Sequence, residues 1–132
     1  MIHLETLSAF TSKNKKNDLE KFCNNHLAYL IDSGYDVSVN EKHSGIYPLK
    51  SVHYSIIIVN KGFKWEDIKY DFMTFLEILT NSYKIDKKHI RFYHKSNNFF
   101  FPEMHTDYNK EQILNDNIDS DIEIFQIEIK IK

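Results

Sequence analysis

Two short runs in the chain combine residue types that can move protons: His53-Tyr54-Ser55 and, further on, His94-Lys95-Ser96. Each has the form His-x-Ser in a stretch that reads as β-strand. Imidazole titrates near neutrality, so a pair of such histidines could supply one general base and one general acid. The competing explanation is structural: a histidine and a serine at the polar end of a sheet face.

A second cluster lies between Lys84 and Lys95, where Lys87, Lys88, Arg91 and Lys95 interleave with Phe92 and Tyr93. Single-strand binders use that mixture, with cations tracking the backbone and rings stacking on bases. A solvated strand end explains it equally well. Cys23 and His26 stand three apart on one helical face, a spacing open to a ligand pair, but nothing completes a metal site around them. They are read instead as a small buried hydrophobe beside a boundary imidazole. His89, His94 and His105 lack helical ligand spacing, and His105-Thr106-Asp107 near Glu103 would need partners from elsewhere to hold a cation. With three widely spaced glycines there is no phosphate-cradling loop. No cofactor and no metal are expected.

The paired His-x-Ser runs resemble the signature of the 2H phosphoesterases. The resemblance implies His53 and His94 flanking a phosphate as base and acid, with Ser55 and Ser96 holding its oxygens. In the second run Asn97-Asn98 follow, where that family carries apolar strand residues.

The elements that must position these groups are organised around Ser51–Tyr83. Val52, Tyr54, Ile56 and Ile58 alternate with Ser55, Ile57 and Val59, the pattern of a central strand apolar on both faces. Lys61-Gly62 breaks the period. Trp65, Ile68, Phe72, Phe75, Leu76, Leu79 and Tyr83 then recur at helical steps.

Upstream, residues 1–16 suggest an edge strand or arm plus a linker. Asn17-Asp18-Leu19-Glu20 reads as a capping box opening a helix through Leu30 that stops at Gly34. Tyr35, Val37 and Val39 alternate as a half-exposed strand, and Glu41–Lys50 forms a long connection.

Downstream, His89–His94 forms a strand. Phe99-Phe100-Phe101-Pro102 could return as the second arm of a hairpin ended by the proline. A short helix is expected from Thr106 or Asp107. At the C-terminal end Ile122 and Ile124 fall on even positions but Phe125, Ile127, Ile129 and Ile131 on odd ones. That phase shift predicts a β-bulge near Phe125-Gln126.

Composition bounds the rest. At 132 residues and 42% hydrophobic the chain suits one domain, 1–132, with a core that needs no disulfide. The charge of −2 offers no global field toward nucleic acid or an anionic membrane. Arg91 is the single arginine among many lysines, as an AT-rich coding sequence would produce, so lysine enrichment is discounted as a binding signal. Cys23 is alone, so no intrachain disulfide forms. With no basic leader and no long apolar run, the expectation is a reducing, cytoplasmic setting without membrane contact.

These readings converge on an α+β domain in the order α-β-β-α-β-(β)-β: an antiparallel-rich sheet of four to five strands with two main helices on one face. The face bearing Ser55, Ile57 and Val59 looks too apolar to stay wet, so the polar segment 103–118 or another subunit should cover it. A non-enzymatic binding or assembly module follows, self-associating or docking on a larger protein through a sheet face or edge. The helix-strand order is similar to that of small phage connector and tail-completion proteins. Phosphoesterase or nuclease chemistry and nucleic-acid binding through Lys87, Lys88, Arg91, Tyr93 and Lys95 are the alternatives.

Overall fold

A computed structural model describes the backbone of residues 4–46, 48–49, 51–96 and 99–131, and their side chains outside 4–14 and 86–88. The elements are α1 (Leu4–His26), α2 (Ala28–Asp32), β1 (Asp36–Ser44), β2 (Ser51–Lys64), α3 (Trp65–Ser82), β3 (Ile85–Lys95), β4 (Glu103–Tyr108), α4 (Lys110–Leu114) and β5 (Glu123–Ile131). The strands form one five-stranded sheet in the order β1-β2-β5-β3-β4, each neighbouring pair antiparallel. The chain is an α+β domain, as its patterning predicts.

The first helix begins at Leu4 rather than Asn17, in place of the expected arm and linker. Residues 4–16 contain no Gly or Pro and several strong helix formers, so nothing halts propagation, and the Asn17–Glu20 tetrad becomes an ordinary internal turn. Leu27 marks a bend, yet its N–H still bonds the Cys23 carbonyl at 2.8 Å. The stop at Gly34 is as expected. Gly34 has φ +96, its N–H bonds the Ile31 carbonyl, and the Tyr35 N–H reaches back to the Leu30 carbonyl, a Schellman closure.

The core forms where the helices cover one sheet face. Tyr54, Ile56 and Ile58 of β2, Ile127, Ile129 and Ile131 of β5, and Ile90 and Phe92 of β3 are buried on that face. Against them pack Leu19, Cys23 and Leu30 from the first two helices and Trp65, Ile68, Phe72, Phe75, Leu76 and Leu79 from α3. The α3 stripe therefore does what its spacing implies. Its start is fixed by the Asp67 carboxylate, which accepts the Lys64 N–H at 3.0 Å.

Lys61-Gly62 does not end β2. The strand runs on to Lys64, and the irregularity appears as a register shift against β5 between Val59 and Phe63. Gly62 makes this possible with φ +115, a region costly for residues with a Cβ. The space beside it is also limited, since a Cβ there would lie 3.1 Å from the Glu123 carboxylate. Gly62→Ala is expected to lower stability by about 1–2 kcal/mol, measured by urea denaturation, whereas an unchanged midpoint would show that the backbone relaxes.

The bulge predicted in β5 is present. Tyr93 pairs with Gln126 while His94 pairs with Ile124, so Phe125 is the extra residue. Ile124 and Ile127 can both be buried because of it, with Phe125 and Gln126 between them half-exposed.

Two corrections concern the segment after β3. Phe99–Phe101 is not a strand: the return arm β4 begins after Pro102, whose carbonyl accepts the Ser96 N–H at 2.8 Å. The proline therefore opens the return strand in the closing pair of the hairpin, which keeps one of its two possible bonds because Pro102 has no N–H to return. The short helix α4 starts after Asn109, not at Thr106 or Asp107, because Asn109 and Gln112 cap each other reciprocally at 2.8 and 2.9 Å.

The segment 103–118 supplies β4 and α4 and does not cover the second sheet face. Instead, the register sets Ile57 between Ser38 and Glu128, and Val59 between Asp36 and Gln126, so polar neighbours flank each apolar side chain. The face is therefore amphipathic rather than continuously apolar, with Ile57 and Val59 half-buried.

Candidate functional site

The sheet separates the two His-x-Ser runs. In β2 the buried residues are Tyr54, Ile56 and Ile58, so His53 and Ser55 belong to the open face. His94 sits opposite the buried Ile124 and belongs to the core face. Tyr54 is level with Ile131, and His94 with Ile124, so about 20 Å of strand also lies between the two histidines. They share no pocket, and Ser55 and Ser96 are parted with them.

Each histidine has a local role. The His53 Nε2 lies 3.1 Å from the Ser51 hydroxyl, which is itself 2.8 Å from that of Ser44 across the β1–β2 ladder. The His94 Nδ1 donates to the Lys95 carbonyl at 2.9 Å, leaving Nε2 to accept from the Thr106 hydroxyl at 2.8 Å when the ring is neutral. Both nitrogens of His94 are thus used, Nε2 to tie β3 to β4 and Nδ1 to fix the ring against its own strand.

The basic patch is dispersed as well. Phe92 is fully buried, while Arg91, Tyr93 and Lys95 alternate onto the open face; the Lys87 and Lys88 side chains lie outside the described residues. Arg91 makes a two-pronged ion pair with Asp107 across the β3–β4 ladder, Nε to Oδ1 at 2.7 Å and Nη2 to Oδ2 at 3.1 Å. The pairing pushes the guanidinium pKa up and holds the Asp107 carboxyl below the usual carboxylate range. Lys95 pairs with Glu123 at 3.2 Å. Each described cation of the patch therefore faces a carboxylate, and phosphate would have to displace it.

Cys23 lies 2% exposed beneath the first helix, its thiol pushed up to about 12 by burial and then by Glu20. That environment suppresses a thiolate nucleophile. His26, by contrast, is exposed rather than inward-facing and packs its ring 4.4 Å from that of Phe22. Among the described residues, no group of three or more His, Cys, Asp or Glu is placed to hold a metal ion. No described helix is long and apolar enough to cross a membrane.

What the sequence reading missed is the tip of the β3–β4 hairpin. Phe99, Phe100 and Phe101 are 91, 81 and 66% exposed, and Met104 at the start of β4 is 48% exposed. Phe99 and Phe100 pack edge to face at 5.6 Å, so the rings form one cluster. The available signal was the proline. A strand arm ending at Pro102 and a loop ending at Pro102 have the same composition, and only the second leaves all three rings largely exposed. Beyond the tip, β4 is the last strand of the sheet, and its outer edge carries no strand among the described residues. Comparison with family models, with curated proteins and with solved structures returned no match for this chain, so what the hairpin does is inferred from its own chemistry.

Proposed function

We propose that this chain is a non-enzymatic binding module that docks on a protein partner through the Phe99–Phe101 tip of the β3–β4 hairpin, as a small structural or accessory piece of a larger assembly. The observation that carries the reading is the exposure of three consecutive phenylalanines. Folding gains nothing from holding these rings in water, whereas burying them against a partner would remove about 500 Å² of surface. A standard interface takes about 800 Å² from each side, so the tip alone supplies more than half.

Charge favours a protein over a lipid surface. Lys95, at the base of the tip, is neutralised by Glu123, and Glu103 stands directly across the ladder from it. Among the described residues there is no basic collar to hold anionic headgroups.

The test places a photo-crosslinking phenylalanine analogue at Phe100 and, as a control, at Tyr70, which is also largely exposed. In extract of the source cells, a discrete protein adduct is expected at Phe100 alone. Identical adducts at both sites, or none, would reject the reading. A triple Phe99→Ser, Phe100→Ser, Phe101→Ser variant should abolish the adduct of a reporter at Met104 while changing stability by about 0.5 kcal/mol or less.

A further inference from the structure

We infer that the outer edge of β4 accepts an extended strand of the partner, and that this strand is basic on one face and apolar on the other. The inference rests on the docking reading above and names the chemistry of its occupant.

The hairpin fixes which backbone groups are free. The Ser96 N–H bonds the Pro102 carbonyl, so that pair faces inward. Antiparallel pairs alternate between hydrogen-bonded and non-hydrogen-bonded. Along the register, His94↔Met104, Phe92↔Thr106 and Ile90↔Tyr108 are therefore bonded pairs, whereas Lys95↔Glu103, Tyr93↔His105 and Arg91↔Asp107 are not. The N–H and C=O groups of Glu103, His105 and Asp107 thus point away from β3, and among the described residues no backbone bond is made to them. A strand laid along this edge would satisfy all of them.

The side chains then specify the partner. A residue directly opposite Glu103, His105 or Asp107 shares the open sheet face with them; Asp107 is already held by Arg91, so Glu103 is the carboxylate that a basic residue suits. A residue opposite Met104 shares the core face, where an apolar side chain would cover the half-exposed Met104. A second copy of this chain fits less well. Pairing β4 with itself over its full length sets Glu103 opposite Asp107 twice, and like charges directly opposite are destabilising.

The probe is the capped heptapeptide Lys-Val-Lys-Ile-Lys-Val-Lys, with Glu-Val-Glu-Ile-Glu-Val-Glu as its charge-inverted control, read by amide hydrogen exchange and by light scattering. In the free protein, the His105 and Asp107 amides should exchange fast and those of Met104, Thr106 and Tyr108 slowly. The lysine peptide should protect His105 and Asp107, and the glutamate peptide should not. His105→Pro removes an outward N–H without touching a β3–β4 bond, so it should abolish that protection and preserve the slow exchange of Met104 and Thr106. The paired changes Glu103→Lys and His105→Lys should swap the peptide preference by about tenfold, independently of how the proline is tolerated.

Slow exchange at His105 and Asp107 in the free monomer, or lysine-peptide protection unaffected by both variants, would overturn the inference. Doubled mass together with protected edge amides would overturn it in favour of a second copy. If the crosslinking at Phe100 fails while the peptide still protects β4, the tip reading falls and the strand-accepting edge stands alone.

Discussion

Replacing Phe92 by Ala is expected to cost about 4 kcal/mol, a large part of the roughly 5–15 kcal/mol that holds a domain folded. Phe92 is fully buried, and its ring meets those of Tyr108 at 5.0 Å, Trp65 at 5.6 Å and Phe72 at 6.1 Å. It thereby links β3, β4 and the start of α3, and no one of these elements can collapse into the space without leaving the others. In thermal denaturation the loss corresponds to a fall of about 15 °C. Tyr93, one position on, faces the open side between His105 and Phe125, and Tyr93→Ala should cost about 1 kcal/mol or less. Equal losses for the two variants would mean that the sheet does not divide its faces as described.

The second large effect is expected at Asp116. This residue closes α4 in the left-handed region, φ +54, with the Asn117 N–H bonded to the Gln112 carbonyl and its own N–H to that of Ile113. From there its carboxylate accepts the Trp65 indole N–H at 2.6 Å and the Lys69 ammonium at 3.1 Å, fastening α4 to the first turn of α3. Trp65 is fully buried, so without Asp116 its N–H loses its partner. Asp116→Ala should lower stability by about 2 kcal/mol through that orphaned donor and the strained φ together. Asp116→Gly relieves only the strain, and Asp116→Asn keeps an acceptor and tolerates the conformation, so the expected order of stability is Asn, Gly, Ala. Trp65 is the single tryptophan, which makes its emission a direct reporter. A reversed order would indicate that the indole bond contributes little.

The same contact gives a pH dependence. The indole first, and then Lys69, hold the Asp116 carboxyl below its ordinary 3.8. A depressed folded-state value contributes stability that is complete above the unfolded pKa and is lost as pH falls through the folded one. Acid should therefore weaken the wild-type protein below about pH 4, and Asp116→Asn should flatten that limb. Asp107, depressed by Arg91, contributes to the same limb, so flattening should be partial.

Where the sequence was legible, a periodic burial pattern was strong enough to survive tertiary context. The α3 stripe is one such case. The break in phase around Phe125 is another, because a bulge is the only way for Ile124 and Ile127 to point the same way. Residues 4–16 were misread because a polar, low-contrast stretch carries no face, and its helix shows in propensity alone. β4 was misread for a related reason. Glu103–Tyr108 has little apolar alternation, being an edge strand with only its inner side packed, and the proline before it looked like an end. The paired histidines illustrate a different limit. Spacing along the chain says nothing about which strand will come between, and here β5 does.

That placement of β5 has a consequence for how the molecule is made. The strand synthesised last among those described sits at the centre of the sheet, between β2 and β3. Until it has left the ribosome, the chain can hold a β1–β2 hairpin and a β3–β4 hairpin but nothing to join them, and β2 and β3 each expose a long unpaired edge. Closure of the sheet must wait for β5, and until then those two edges are where mispairing would start.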